Sequence, residues 1–236
     1  ELLGCERARK RLVGVSDYSD DPECLAGIPS IGPYHRFSVE RVLALKPDLV
    51  IGSDEYNGDQ ARTLRAAGLR VELLPKETFL GMPEWIRRMG SILGVSEAAG
   101  VWAKRWSAEL DELRRKRARR RASTRVFVEI QHEPLMGLGG GSFLSEALAA
   151  AGKENVFSKL REGYPRVSPE AVLKENPDEI YILDLRDQDR AFELSRSHWQ
   201  KYPGLKAARM GKITRLPGRD FARCTPRLLG AVKGLD

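Results

Sequence analysis

The chain has 236 residues, 42% of them apolar and 31% charged, with a formal net charge of +7. That length supports one large or two small domains with real cores, and the composition is that of an ordinary globular protein. No apolar run approaches the roughly 20 residues a membrane-spanning helix requires, and Glu1-Leu2-Leu3-Gly4 lacks the basic and apolar regions of a secretory signal.

In chain order, Arg11-Leu12-Val13-Gly14-Val15 reads as a strand that enters the turn-rich stretch Ser16 to Pro22. Asp17, Asp20, Asp21 and Glu23 lack the spacing and the bidentate glutamate of a calcium loop. Ser38 then caps a helix with Glu40 in its first turn; Val39, Val42, Leu43 and Leu45 give it an apolar face, and Lys46-Pro47-Asp48 stops it. Leu49-Val50-Ile51 follows as a buried strand. Further strands are expected at 70–74, 126–130 and 212–216, and helices around 59–67, 82–93, 143–151 and 226–235. This alternation argues for α/β layers with largely parallel sheets.

The longest helical pattern starts at Ser96, carries Ala98, Trp102, Trp106, Leu110 and Leu113 on one stripe, and ends near Arg121. About 24 residues at 1.5 Å each predict a rod of roughly 36 Å. It closes on Arg114 to Arg121, seven basic residues in eight. That run is either the solvated end of a helix or a patch for an anionic partner; no recognition-helix pattern accompanies it.

One segment occurs twice. SVERVLALKPDLVI (Ser38 to Ile51) and SPEAVLKENPDEIY (Ser168 to Tyr181) share Ser, Glu, Val, Leu, Pro and Asp in one order, 130 positions apart, and Tyr34 and Tyr164 keep the same offset. In the second copy Ser168 caps, Pro169 takes the first helical position, and Asn176-Pro177-Asp178 ends the helix. A repeat so widely spaced predicts two lobes of related build, hence a cleft where a small molecule binds. The expected division is an N-terminal lobe, 1–95, a linking helix, 96–121, and a C-terminal lobe, 122–236.

Tyr18, Tyr34 and Tyr164 fall at loop ends, where phenol rings can stack on a flat ligand or simply pack with the hydroxyl wet. Glu40 and Glu170 sit one per lobe, too far apart for the ~5–10 Å of a glycosidase carboxylate pair. They serve either the helix dipoles or a symmetric docking contact. Gly137 to Ser142 (GLGGGS) fits neither a Walker A loop nor GxGxxG and is read mainly as a flexible turn facing the ligand, with nucleotide binding as the other option. His35, His132 and His198 are scattered, without metal-ligand spacing, and no nucleophile elbow or Cys/His arrangement occurs. Cys5, Cys24 and Cys224 permit at most one disulfide.

With GVSDYSDDP (Gly14 to Pro22), both SxE…PD segments, Pro134-Leu135-Met136, Lys153 to Phe157 and Arg223 to Arg227, the chain resembles the periplasmic substrate-binding proteins of ABC importers for cobalamin, haem and iron-siderophores, most of all the cobalamin-binding branch. The resemblance spans essentially the whole chain. It implies two α/β lobes on one rigid helix and no enzymatic activity. The ligand would be a corrinoid, with haem or a ferric siderophore as the alternative, and the location the periplasm or cell envelope. It implies that Glu40 and Glu170 dock a monomer on the permease dimer, with no role for nucleic acid. It places Tyr18, Tyr34, Met136, Tyr164, Arg219, Asp220, Phe221, Ala222 and Arg223 against the ligand, the last five in a loop after the final strand. Where cobalamin binders of this type often carry tryptophan or phenylalanine, this chain has Tyr34, Tyr164 and Met136; tyrosine is an axial ligand in haem-binding relatives. For siderophores, Arg215, Arg219, Arg223 and Arg227 would supply positive charge. The opening Glu1 to Gly4 resembles the tail of the family's first helix, so the first strand of the N-lobe is expected to be missing. A different class, a nucleotide-binding α/β enzyme, would rest on the glycine turn.

Overall fold

A computed structural model describes residues 4–17, 19, 25–119, 122–185 and 188–235. The chain divides into two compact units, Glu1–Glu77 with Glu84–Trp102, and Thr78–Pro83 with Ala103–Asp236. In chain order come α1 Cys5–Arg11, α2 Val39–Leu45, β1 Val50–Ser53, α3 Gly58–Ala66, β2 Val71–Leu74, α4 Met82–Leu93 and α5 Ser96–Ala118. Then follow β3 Thr124–Gln131, β4 Met136–Gly137, α6 Phe143–Ala150, β5 Lys153–Asn155, α7 Pro169–Glu175, β6 Glu179–Asp184, α8 Asp189–Gln200, α9 Lys206–Arg209, β7 Ile213–Pro217, α10 Gly218–Phe221 and α11 Pro226–Lys233. Helix α5 begins in the first unit and ends in the second.

Both units are α/β with parallel sheets. In the first, β1 pairs β2 in parallel, Val50 opposite Val71 through Ser53 opposite Leu74. In the second, β3, β6 and β7 run parallel in that order, and the other edge of β3 takes β5 in parallel and β4 antiparallel.

The duplicated segment folds the same way twice because its caps are local chemistry. Ser38 and Ser168 each accept the backbone N–H three residues on, from Arg41 and Ala171. Each seven-residue helix stops on a left-handed residue, Lys46 at φ 47° and Asn176 at φ 44°. Among the described residues these are the two non-glycines with positive φ, and they stand at equivalent positions of the repeat. Val42 and Val172 point into the two cores, as do Val50 and Ile180 at the next matched position. The first core gathers these with Phe37, Ala61, Leu64 and Val71, the second with Phe127, Ile182, Trp199 and Ile213.

Several expectations are corrected. Residues 11–15 do not form a strand: Arg11 ends α1, Val13 is 45% exposed, and only Val15 pairs, in a single bridge to Ser30. Gly4 stands before α1 as its N-cap rather than in a helix tail, and residues 1–3 lie outside the described set. The long helix ends at Ala118. The segment after β7 is not a loop but the one-turn helix α10.

The glycine run is a packing device rather than a flexible turn. Gly139 and Gly140 donate to the carbonyls of Gly163 and Leu160 at 2.9 and 2.8 Å. A Cβ on Gly139, Gly140 or Gly141 would stand 2.0–2.1 Å from the carbonyl oxygens of Glu162, Ser158 and Arg161. Two backbones approach so closely there that only glycine fits.

Candidate functional site

In open α/β sheets, ligands sit outside the carboxyl ends of the parallel strands. The first unit has a concavity of about 340 Å³ there, lined by Ile51, Gly52 and Ser53 of β1 and Leu74 at the end of β2. Tyr34, Phe37, Trp85 and Met89 supply its aromatic and soft surface; Ser16, Ser19, Ser53 and Asn57 supply polar groups, and Glu77 is its one charged lining residue among those described. The surface therefore combines aromatic faces, on which a flat ligand can stack, with polar groups that can hydrogen-bond it.

The loop carrying Tyr34 is held by its backbone. Val15 N–H donates to the Pro29 carbonyl at 3.0 Å and its carbonyl accepts Ile31 N–H at 2.9 Å, Asp17 N–H donates to the Gly32 carbonyl at 3.0 Å, and Ser38 N–H donates to the Ile31 carbonyl at 2.8 Å. Asn57, only 2% exposed, ties this loop to the sheet. Its Nδ2 donates to the Tyr34 carbonyl at 2.9 Å, and its Oδ1 accepts from Ser53 N–H at 2.8 Å. The Tyr34 ring is 50% exposed and meets His35 and Tyr56 edge-on, with centroids 5.3 and 5.7 Å apart. Trp85 is anchored by its indole N–H to the Pro75 carbonyl at 3.2 Å. Tyr18 lies outside the described residues.

In the second unit, Met136 pairs Gln131 at the carboxyl end of β3 and bridges Arg166, which brings it within two positions of Tyr164. Tyr164 is 45% exposed and Met136 half-buried. Helix α10 leaves the carboxyl end of β7 so close to β6 that a Cβ on Gly218 would lie 2.6 Å from the Asp184 carbonyl. Arg219 is exposed there, and Asp220, Ala222 and Arg223 are half-buried. Phe221, in α10, is 5% exposed. Arg215 is engaged too, 2.9 Å from Asp189, 3.1 Å from Asp184 and 4.8 Å over the Phe192 ring. It is not a free cation for a siderophore.

Glu40 and Glu170 are both exposed, each on the first turn of its repeat helix. Each is held below the usual carboxylate range by its own backbone N–H and then by the capping serine. In the first copy Ser38 Oγ donates to Glu40 Oε2 at 2.9 Å.

His132 and His198 are not scattered, as their sequence positions suggest, but meet edge-on at 4.9 Å. Buried Glu129 accepts from the Trp199 indole, and its other oxygen lies 3.2 Å from His132 Nδ1. Burial first, then the neighbouring His132, pushes the His198 imidazole below the ordinary histidine range. Among the described residues no group of three His, Cys, Asp or Glu side chains is placed to hold a metal ion.

Sequence reasoning missed Asn57, Tyr56 and Trp85. The signal available for Asn57 was its rarity, since the chain holds only three asparagines. Trp85 sits in a helix whose start and end were legible but whose aromatic face could equally have been core.

Two α/β units, each with candidate ligand residues at its strand ends, define a class of solute-capturing proteins. The chain matches the family described as periplasmic binding protein over residues 7–219, and it belongs to that family. It is 30% identical over 224 residues to the vitamin B12-binding protein of Salmonella typhimurium, covering 94% of this chain and 80% of the relative. It is similar to the solved periplasmic vitamin B12 binding protein of Vibrio cholerae, at 26% identity and TM-score 0.80 over 97% of this chain and 89% of that one. A periplasmic heme binding protein of Pseudomonas aeruginosa is similar at 28% identity and TM-score 0.80, covering 98% and 84%. The chain is a solute-binding protein and not an enzyme, and proteins of this family deliver their ligand to an ABC permease.

Proposed function

We propose that this protein captures a corrinoid and delivers it to an ABC permease. The observation that carries the reading is the aromatic and hydroxyl-lined concavity at the ends of β1 and β2, with Tyr34 and Trp85 on its wall and Glu77 its one charged lining residue among those described. A corrin offers a broad apolar plane and many peripheral amides, which stacking and serine or asparagine groups can satisfy. The concavity of the first unit offers an anionic ferric siderophore no cation among its described lining, so such a ligand would depend on Arg219 and Arg223 of the second unit. In the second unit Tyr164, Met136, Arg219, Asp220, Ala222 and Arg223 complete the contacts, and Tyr18 adds to the first. Glu40 and Glu170 dock a monomer on paired arginines of the permease dimer.

Haem is the second reading, favoured by the exposed Tyr34 phenol beside His35 and by similarity to a heme binding protein. Equilibrium dialysis against cobalamin, hemin and a ferric siderophore separates the readings. The account expects cobalamin to be retained and Tyr34→Ala to weaken retention by tenfold or more, about 1.4 kcal/mol. Retention of hemin alone, with a Soret shift lost in Tyr34→Phe, would transfer the assignment to haem. Retention of none would end it.

A further inference from the structure

Helix α5 ends in a way that packing does not explain. Leu110 and Leu113 are buried, but every residue from Arg114 to Arg119 is exposed. Successive helical residues turn by about 100°, so Arg114, Arg115, Lys116 and Arg117 face four different directions. Arg117 continues the line of Trp106, Leu110 and Leu113, yet it too is exposed, so the last turn of the helix stands clear of its own unit. Arg114 lies 3.5 Å from Asp111 and Lys116 lies 3.5 Å from Glu112, whose carboxylate Lys233 also holds at 3.0 Å. Arg115, Arg117 and Arg119 pair with no carboxylate among the described residues. A helix C-terminus accommodates one or two cations through its dipole, but that effect fades within a turn and does not call for charge on every side.

We propose that this projecting cationic helix end binds an anionic lipid surface and so holds the protein against the membrane. Guanidinium groups match phosphate oxygens, and a ring of charge engages a planar array of headgroups whichever way the helix rolls. The choice of a membrane over a nucleic acid rests on the proposed delivery to a membrane permease. None of these residues lies in the candidate ligand site.

Flotation with phosphatidylcholine vesicles, with and without about 30% phosphatidylglycerol, tests the proposal at low salt. The protein is expected to float only with the anionic vesicles and to be released near 0.5 M salt, where screening shortens to about 4 Å. Arg115→Gln/Arg117→Gln/Arg119→Gln is expected to weaken flotation about a hundredfold while binding cobalamin as before. The matching triple arginine-to-lysine variant keeps the charge and should still float. No flotation with anionic vesicles, undiminished flotation of the glutamine variant, or binding to an oligonucleotide in place of vesicles would overturn the proposal. A protein that floats but takes up no cobalamin would refute the ligand assignment and leave this surface standing. One that takes up cobalamin without floating would do the reverse.

Discussion

The three asparagines of this chain each hold a backbone in place. Asn176 takes the left-handed turn after α7 and accepts Lys206 N–H at 2.9 Å. Asn155 donates to the Leu138 carbonyl and to Ser145 and accepts Phe157 N–H. Asn57 joins β1 to the Tyr34 loop. Replacing it with leucine takes these bonds from the half-buried Ser53 N–H and from the Tyr34 carbonyl, a loss of about 1–2 kcal/mol that urea unfolding should register. Cobalamin affinity should fall as well, because the ring beside the ligand loses its footing. Glu179 gives a pH signature. Burial pushes its carboxyl up, but bonds from Lys153 and Tyr181, the Lys153 charge and a bond from Lys212 outweigh this and hold it below the ordinary value of 4.5. A depressed carboxylate stabilises the fold above its unfolded value and loses that contribution as pH falls through the folded one. Stability should therefore drop steeply below pH 4.5 in the native protein and less so in Glu179→Gln. That variant should also cost about 3 kcal/mol at neutral pH, because Lys153, 2% exposed, is left buried without its carboxylate.

Among the elements, those marked by local caps or by a compact apolar run were legible, and contacts between distant elements were not. The α2 and α7 segments were legible because serine caps, first-turn glutamates and Pro-Asp stops act within one turn. Helix α4 was expected over its observed residues 82–93, where apolar spacing is clear. Helix α8 escaped notice because its buried positions, Ser195 and Trp199, make no apolar stripe. The apolar run at 11–15 suggested a strand, but a strand needs a neighbour, and Val15 alone finds one in Ser30. In the candidate site, Tyr34 and the twin glutamates were visible because the repeat marks them. The His132–His198 contact was not, because it depends on β3 and α8 coming together in space. Glycine positions separate the two kinds of constraint experimentally. Gly140→Ala should cost upward of about 4 kcal/mol, since the new Cβ meets a carbonyl that cannot yield. Gly100→Ala, in open space within α5, should stabilise by about 0.5–1 kcal/mol through helix propensity alone. Thermal unfolding of both variants checks the contrast.

At the scale of the molecule, a duplicated unit gives two things at once: a matched pair of strand-end surfaces and a matched pair of exposed glutamates on the first turns of serine-capped helices. The proposed ligand contacts and the proposed permease contacts fall on different residues and can be tested separately. Glu40→Ala with Glu170→Ala should lower uptake in reconstituted permease vesicles by tenfold or more, about 1.4 kcal/mol per decade, while leaving cobalamin affinity unchanged. A parallel fall in affinity would show that these helices support the ligand site instead. The central claim is corrinoid capture by the Tyr34 and Trp85 face, and calorimetric titration of cyanocobalamin into native protein, Tyr34→Ala and Trp85→Ala tests it most directly. The account predicts saturable one-to-one binding that each substitution weakens by tenfold or more; no heat of binding, or identical isotherms for all three proteins, would contradict it.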